Sequence, residues 1–305
     1  MTTAPQPEDV VGNTIHPATR MGYVQYIAAD IERQIEFYES ILGLQTHWRE
    51  GSSAGMGAGG EDLLRLTEVP GARRAYRTTG LYHTAFLVPE RRDLAHLLMR
   101  IAETQTRIQG MTDHGTHWAI YLPDAEGNGI ELAWDFPRER WPTSFEQMMR
   151  RNRALNTAEL MQVLQEDSSP WDGPGPGTAV GHVHLHVAQI PPTRQFYHEV
   201  LGFNLSFDLE NASGGLAETA AFFNAGDYHH HIGANTWLGE GAPPPPDDAI
   251  GLRYFTIILP DQAALEPVLA RIKAAGVETH QVEEGILLHD PSYNGILLTT
   301  ANGGR

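Results

Sequence analysis

"HVHLHVAQIPPTRQFYHEVLGF" (His182–Phe203) and "YVQYIAADIERQIEFYESILGL" (Tyr23–Leu44) share one layout. Each opens on about seven residues of alternating apolar character, the period-two signature of a strand with one buried face. A polar residue follows seven positions after the first, Asp30 in one copy and Gln189 in the other. A helical stretch then carries "FY" fourteen positions on, at Phe37 and Phe196, and stops at Gly43 and Gly202. Glycine is a common helix stop because it takes left-handed backbone at little cost. Two weaker copies exist. One starts at His83, with Glu90 and Leu97 at the matching places, and the other at Tyr254, with Asp261 and Val268.

After the helices come strand-and-turn stretches such as "HWAIYLPDAEGNGIELAWD" and "GILLHDPSYNGILLTT", whose "DAEGNG" and "PSYNG" are turn chemistry between alternating runs. The expected class is therefore α+β, built from four βαβββ units. Units one and two fall in 18–138 and units three and four in 178–301. Residues 139–177 separate the pairs, helical at first and ending in a Pro/Gly linker. "GEGAPPPPDD" (239–248) divides units three and four. "EGSSAGMGAGGED" (50–62) reads as a flexible hairpin loop, since no phosphate-binding helix pattern follows it.

Composition narrows the function classes. The chain has 305 residues, 41% of them hydrophobic, enough for two ordinary cores. There is no cysteine, hence no disulfide, no thiolate ligand and no cysteine nucleophile. A formal net charge of −17 disfavours nucleic acid and anionic membranes as partners. No apolar run is long enough to span a bilayer, and "MTTAPQPEDVVGN" lacks a signal peptide's basic start and apolar centre. A cytoplasmic protein acting on a small molecule is the expectation, and a homo-oligomer is compatible with it.

The tandem units, "FYESILGL", "FYHEVLGF" and "PDAEGNGIEL" resemble the vicinal oxygen chelate superfamily of glyoxalase I, bleomycin-resistance proteins and extradiol ring-cleaving dioxygenases. "GLYHTAFLVP", "GHVHLHV" and "AGDYHHHIGANTW" are similar to its CatE-like catechol 2,3-dioxygenase branch. The resemblance spans about 20–301. It implies that pairs of units curl into cups, so that the four make two cup-shaped half-barrel pairs. It also implies a metal held by the first residue of each opening strand and by a residue on the last strand.

The opening positions are Tyr23, His83, His182 and Tyr254, of which only the two histidines are ordinary ligands. On the last strands Glu131 stands in "GNGIEL". Leu297 takes that place in "YNGILL", and "DLLRLTE" offers only Arg65 or Leu66. The implied set is His83, Glu131 and His182, the 2-His-1-carboxylate arrangement of non-haem iron enzymes. Pairing of units in sequence order splits this set, so unit two must share a cup with unit three and unit one with unit four. A single strand histidine is ordinarily a core or surface residue. "HVHLHV" could itself be a polar strand face, since His184 and His186 alternate with His182. The coincidence of three positions in register favours the metal site.

The resemblance implies Fe(II), with Mn(II) as the other candidate, and an aromatic catechol and O₂ as small-molecule partners. It also places an acid/base histidine at His230, within "FFNAGDYHH". If the run is a strand, His229 and His231 face away from His230 and serve structure. Tyr121, ten residues before Glu131, matches an active-site tyrosine, and His114 in "DHGTHW" lies close to a second active-site histidine. For Tyr121 an ordinary strand tyrosine, and for His114 an ordinary histidine, stays open. Asn235 and Trp237 match "GANTW" of the same branch as pocket residues. A glyoxalase-type isomerase or lyase, which uses two carboxylates around zinc or nickel, and a metal-free drug-binding protein are the alternatives.

Overall fold

The computed structural model describes residues 14–206 and 216–301. The stretch 1–13, read above for targeting signals, lies outside the described residues. Unit one comprises β1 (Arg20–Ala28), α1 (Ile31–Phe37), β2 (Gln45–Glu50), β3 (Ser53–Gly57) and β4 (Asp62–Glu68). Unit two comprises β5 (Gly80–Leu87), α2 (Arg91–Glu103), β6 (Gly110–Asp113), β7 (His117–Pro123) and β8 (Gly129–Asp135). Between the halves lie α3 (Phe145–Arg151), β9 (Arg153–Ala154) and α4 (Thr157–Glu166). Unit three has β10 (Ala179–His186), α5 (Ile190–Arg194), β11 (Asn204–Leu205), α6 (Leu216–Thr219), β12 (Ala220–Asn224) and β13 (Ile232–Asn235). Unit four has β14 (Gly251–Leu259), α7 (Gln262–Ala274), β15 (Thr279–Val282), β16 (Gly285–His289) and β17 (Gly295–Thr300). Among the described residues, no helix is long and apolar enough to cross a membrane.

In every unit the opening strand pairs in parallel with the last one: β1 with β4, β5 with β8, β10 with β13, β14 with β17. Units then join through their opening strands, antiparallel, β5 to β10 and β1 to β14. Among the described residues one sheet therefore runs β11-β12-β13-β10-β5-β8-β7-β6-β9 and the other β15-β16-β17-β14-β1-β4-β3-β2. Unit two shares a sheet with unit three and unit one with unit four, the arrangement that the candidate ligands His83, Glu131 and His182 require. The sheets cut across the two halves of the chain.

Sequence neighbours are tied by other means. Asp124, in the "DAEGNG" turn of unit two, accepts hydrogen bonds from Asn128 N and Nδ2 within its own turn, both at 2.8 Å. It also accepts from Gln34 Nε2 (2.8 Å) and Tyr38 OH (3.1 Å) beside α1. Asp290 repeats the device in unit four, bonded by Asn294 N and Nδ2 and by Tyr197 OH at 3.0 Å. The tyrosine of each "FY" pair thus braces unit one to unit two, or unit three to unit four. Buried carboxylates are tolerated only when satisfied in this way.

The glycines of "GNG" and "YNG" have a steric cause. A Cβ on Gly129 would lie 1.9 Å from the Tyr82 carbonyl oxygen, and one on Gly295 would lie 2.2 Å from that of Arg253. The last strand can enter beside the opening strand only without a side chain there. The glycine-rich stretch 50–62 departs from its reading as a loop, because 53–57 form β3, paired with β2 and β4. A Cβ on Gly55 would fall 2.1 Å from Trp48 Nε1. Rings from β2 lie across this strand, so its glycines reflect close packing and not a flexible turn.

Candidate active site

Strand register builds the site. Across β7 and β8, Tyr121 stands opposite Glu131, Ala119 opposite Ala133 and His117 opposite Asp135. Because side chains alternate, these six share one face of the sheet, and the two alanines leave a low floor between the polar pairs. On the other side Glu131 is opposite Ala85 of β5. An irregularity in the β5–β10 pairing sets His184 opposite His83 and His182 opposite Ala85.

Glu131 Oε2 consequently lies 3.0 Å from His83 Nε2 and 3.2 Å from His182 Nε2. Ligand atoms of the three residues fall within 4.8 Å of one another, and all three residues are buried. The other oxygen, Oε1, is 2.9 Å from His117 Nε2, whose Nδ1 is 2.8 Å from Thr116 Oγ1. Burial pushes the Glu131 carboxyl up, but His182, His117 and His83 outweigh it and hold the group well below the usual range. The carboxylate therefore stays charged in a dry place, the condition of a good ligand. Two imidazoles and one carboxylate, without sulfur, suit Fe(II) or Mn(II), and the residues present fit such an ion.

A cavity of about 400 Å³ opens onto this group. Tyr82, Phe222 and Trp237 line one side, and Met148 and Tyr121 are also in its wall. That volume lies in the ordinary range for small-ligand sites. Trp237 is half-exposed and His184 packs against it, with ring centroids 5.6 Å apart. Gly233 makes room for His184, since a Cβ there would lie 2.9 Å from the imidazole. Tyr121 OH is 2.8 Å from His114 Nε2. Burial first, then Glu131, raises the Tyr121 phenol well above its ordinary value, whereas burial and His117 push His114 down to about 3. Both residues line the cavity.

The histidine run differs from its expected form. Tyr228–His231 precede β13 as irregular backbone, so strict alternation does not apply. His229 and His230 both line the cavity, with Nδ1 atoms 2.8 Å apart. His230 also packs on His182, centroids 4.2 Å apart. His231 turns away, and its Nδ1 accepts from Ala225 N at 3.1 Å. Asn235 is fully buried outside the cavity lining. Its Oδ1 accepts from Trp237 N at 3.1 Å and lies 2.8 Å from His186 Nδ1, so it supports the pocket wall and does not form it.

Three neighbours escaped sequence reading: His117 on Glu131, Asp135 on His229 (Oδ1 to Nε2, 3.3 Å), and Tyr82 in the wall. The signal for two of them lies in the sequence. Asp135 lies four residues beyond Glu131, on the same strand face, and His117 lies four before Tyr121. In the other cup, Arg65 lies over the Tyr23 ring (3.8 Å to the centroid) and Tyr23 OH is 3.4 Å from Tyr254 OH. Leu297 stands there where Glu131 stands here.

Comparison with known proteins accords with this geometry. The model of the glyoxalase/bleomycin resistance protein/dioxygenase superfamily matches residues 20–132 and 179–284. A catechol-2,3-dioxygenase of Bacillus subtilis (strain 168) is 37% identical over 285 residues, covering 91% of this chain and 96% of that protein. Among solved structures, a putative dioxygenase of Bacillus subtilis superposes with a TM-score of 0.63 at 13% identity, covering 96% of this chain and 87% of its own. Glyoxalase I from Zea mays does so with a TM-score of 0.57 at 17% identity, covering 93% and 92%. These two show a shared fold. The chain belongs to the glyoxalase/bleomycin resistance protein/dioxygenase superfamily.

Proposed function

We propose that the protein is an extradiol dioxygenase that opens a catechol-type ring beside its two hydroxyls, adding both atoms of O₂. The observation that carries this is the convergence of His83, Glu131 and His182, from two units 99 residues apart at their histidines, on one point in a cavity of about 400 Å³. The name of the 37%-identical relative supports the same activity. His83, Glu131 and His182 would hold Fe(II) or Mn(II). Such an ion supplies Lewis acidity toward the catechol hydroxyls and a route for ring electrons to O₂.

The chain's own residues do the rest. Tyr82, Phe222 and Trp237 offer aromatic walls to one planar ring, by edge or face contact. Tyr121, protonated across the working pH range, can donate its hydroxyl hydrogen to a substrate oxygen. His230 takes a catechol hydroxyl proton and returns it to the product. Burial first, then His182 and His229, hold its ring well below its ordinary pKa, so it is neutral before substrate arrives. The glyoxalase alternative needs a second carboxylate. Asp135, four residues along the same strand, is engaged by His229 and by Tyr228 OH (2.9 Å).

The test is anaerobic loading with iron or manganese, followed by a panel of catechols and air. Uptake of one O₂ per catechol and a yellow ring-fission product are expected. A fully loaded protein that consumes no O₂ with any catechol, yet isomerises a hemithioacetal, would overturn the proposal in favour of the glyoxalase alternative.

A further inference from the structure

We infer that Asp135 and His229 are positioning residues for His230, fixing its proton on Nδ1 and leaving Nε2 bare to receive the substrate proton. The inference rests on the proposed role of His230 and adds to it the device that sets its tautomer. A carboxylate can only accept. Asp135 Oδ1 faces His229 Nε2 at 3.3 Å, while its Oδ2 is occupied by the Tyr228 hydroxyl at 2.9 Å. His229 Nε2 therefore carries a hydrogen. A neutral imidazole has only one, so His229 Nδ1 is bare. That atom lies 2.8 Å from His230 Nδ1. Two bare nitrogens would repel at this distance, so the hydrogen between them belongs to His230. The remaining nitrogen of His230, Nε2, is then the acceptor.

The ring that passes this information along is clamped. His229 is buried, stacked on His117 (centroids 4.9 Å, planes 18° apart) and on Tyr228 (4.1 Å, 31°). Trp141 closes on it at 5.0 Å, held by a hydrogen bond from Nε1 to Phe136 O. Rotation of His229 would set a bare Nδ1 or a carbon against Asp135, so geometry permits one orientation. The same strand that supplies the ligand Glu131 supplies Asp135 four residues later, and metal holding and proton placement share one rigid element.

His117, Asp135 and His229 also lie close enough to one another to hold a metal ion themselves, and the experiment separates that use from positioning. The full-length chain is labelled with ¹⁵N-histidine and loaded with diamagnetic zinc. Long-range proton–nitrogen correlation then assigns each ring tautomer. His230 is expected to show a pyrrole-type Nδ1 and a pyridine-type Nε2, and Asp135→Asn is expected to convert it to the other tautomer or to a mixture. The zinc content should be one ion per chain in both. With iron and a catechol, Asp135→Asn should lower kcat about 10- to 100-fold, the usual worth of an orienting partner, with KM little changed. His229→Asn, which keeps an acceptor where Nδ1 stands, should recover turnover relative to His229→Leu.

A His230 that carries its proton on Nε2, or is unaltered in Asp135→Asn, overturns the inference, as does a second zinc ion lost with Asp135. If no catechol is turned over, the dioxygenase proposal fails while the tautomer measurement still decides this one.

Discussion

His230 and Glu131 sit within one cluster of rings but should fail differently when removed. Glu131 is the common partner of His83 and His182, and a three-ligand site has no spare. Glu131→Ala is expected to lose most bound metal, read by elemental analysis, and normal iron content would refute the ligand assignment. His230→Gln removes a proton acceptor and no ligand. It should keep its iron and bind catechol anaerobically while single-turnover rate falls by about 10²–10⁴. His231→Gln is the control, because His231 faces Ala225 and not the cavity; equal damage from it would mean the base is misassigned. The convergence of His83, Glu131 and His182 was readable because register in a repeat fixes where a side chain points. Spacing puts His117 and Asp135 on the same strand faces as Tyr121 and Glu131, but what they touch comes from a cross-strand register that no single strand displays. The spacing of the triple histidine could not reveal its local turn, which frees His229 to face the cavity beside His230.

At the level of elements, the braces at Asp124 and Asp290 tie consecutive units that no shared sheet joins. Asp124→Ala removes the acceptor of four named donors and leaves Gln34 and Tyr38 unpaired in the interior. A loss of at least about 1–3 kcal/mol is expected, the cost of stranding buried polar groups. Denaturant midpoints of the metal-free protein measure it, and an unchanged midpoint would show the brace to be idle. The "FY" pair marks this brace in the sequence, but a repeat alone says only that a residue recurs. Its partner in the next unit's turn becomes visible once the units are folded together. The elements themselves were legible wherever apolar alternation was clean. Strand β3 was hidden because its glycines answer to the rings of Trp48 and His47 above them, and composition cannot distinguish that from a loop.

Over the whole molecule, buried histidines make folding sensitive to mild acid. Burial, with neighbouring charges, pushes His229 down to about 4 and His231 to about 3, from 6.5 when exposed. His114 is similarly depressed, to about 3. Above 6.5 neither folded nor unfolded chain protonates them, and their contribution is complete. As pH falls from 6.5 toward 4 the unfolded chain takes up protons that the folded one refuses, so stability declines. His117, raised by Glu131 against its burial, works in the opposite direction, but His230 adds to the depressed set. The urea midpoint of metal-free protein is therefore expected to drop between pH 7 and pH 5, and a flat profile would contradict it.

The exchange of partners between units also sets an order of events during synthesis. When only the first half has been made, β5 and β1 lack the strands that will flank them, β10 and β14, and the nascent chain carries two unsatisfied edges. Such edges invite intermolecular pairing. His83 and Glu131 wait without their third partner until His182 has been made. The proposed metal site then has its three ligands, whereas the opposite sheet closes only with β14. On the proposed ligand set, metal loading waits for the second half of the chain, and a fragment ending between the halves is expected to expose two open edges and to lack His182.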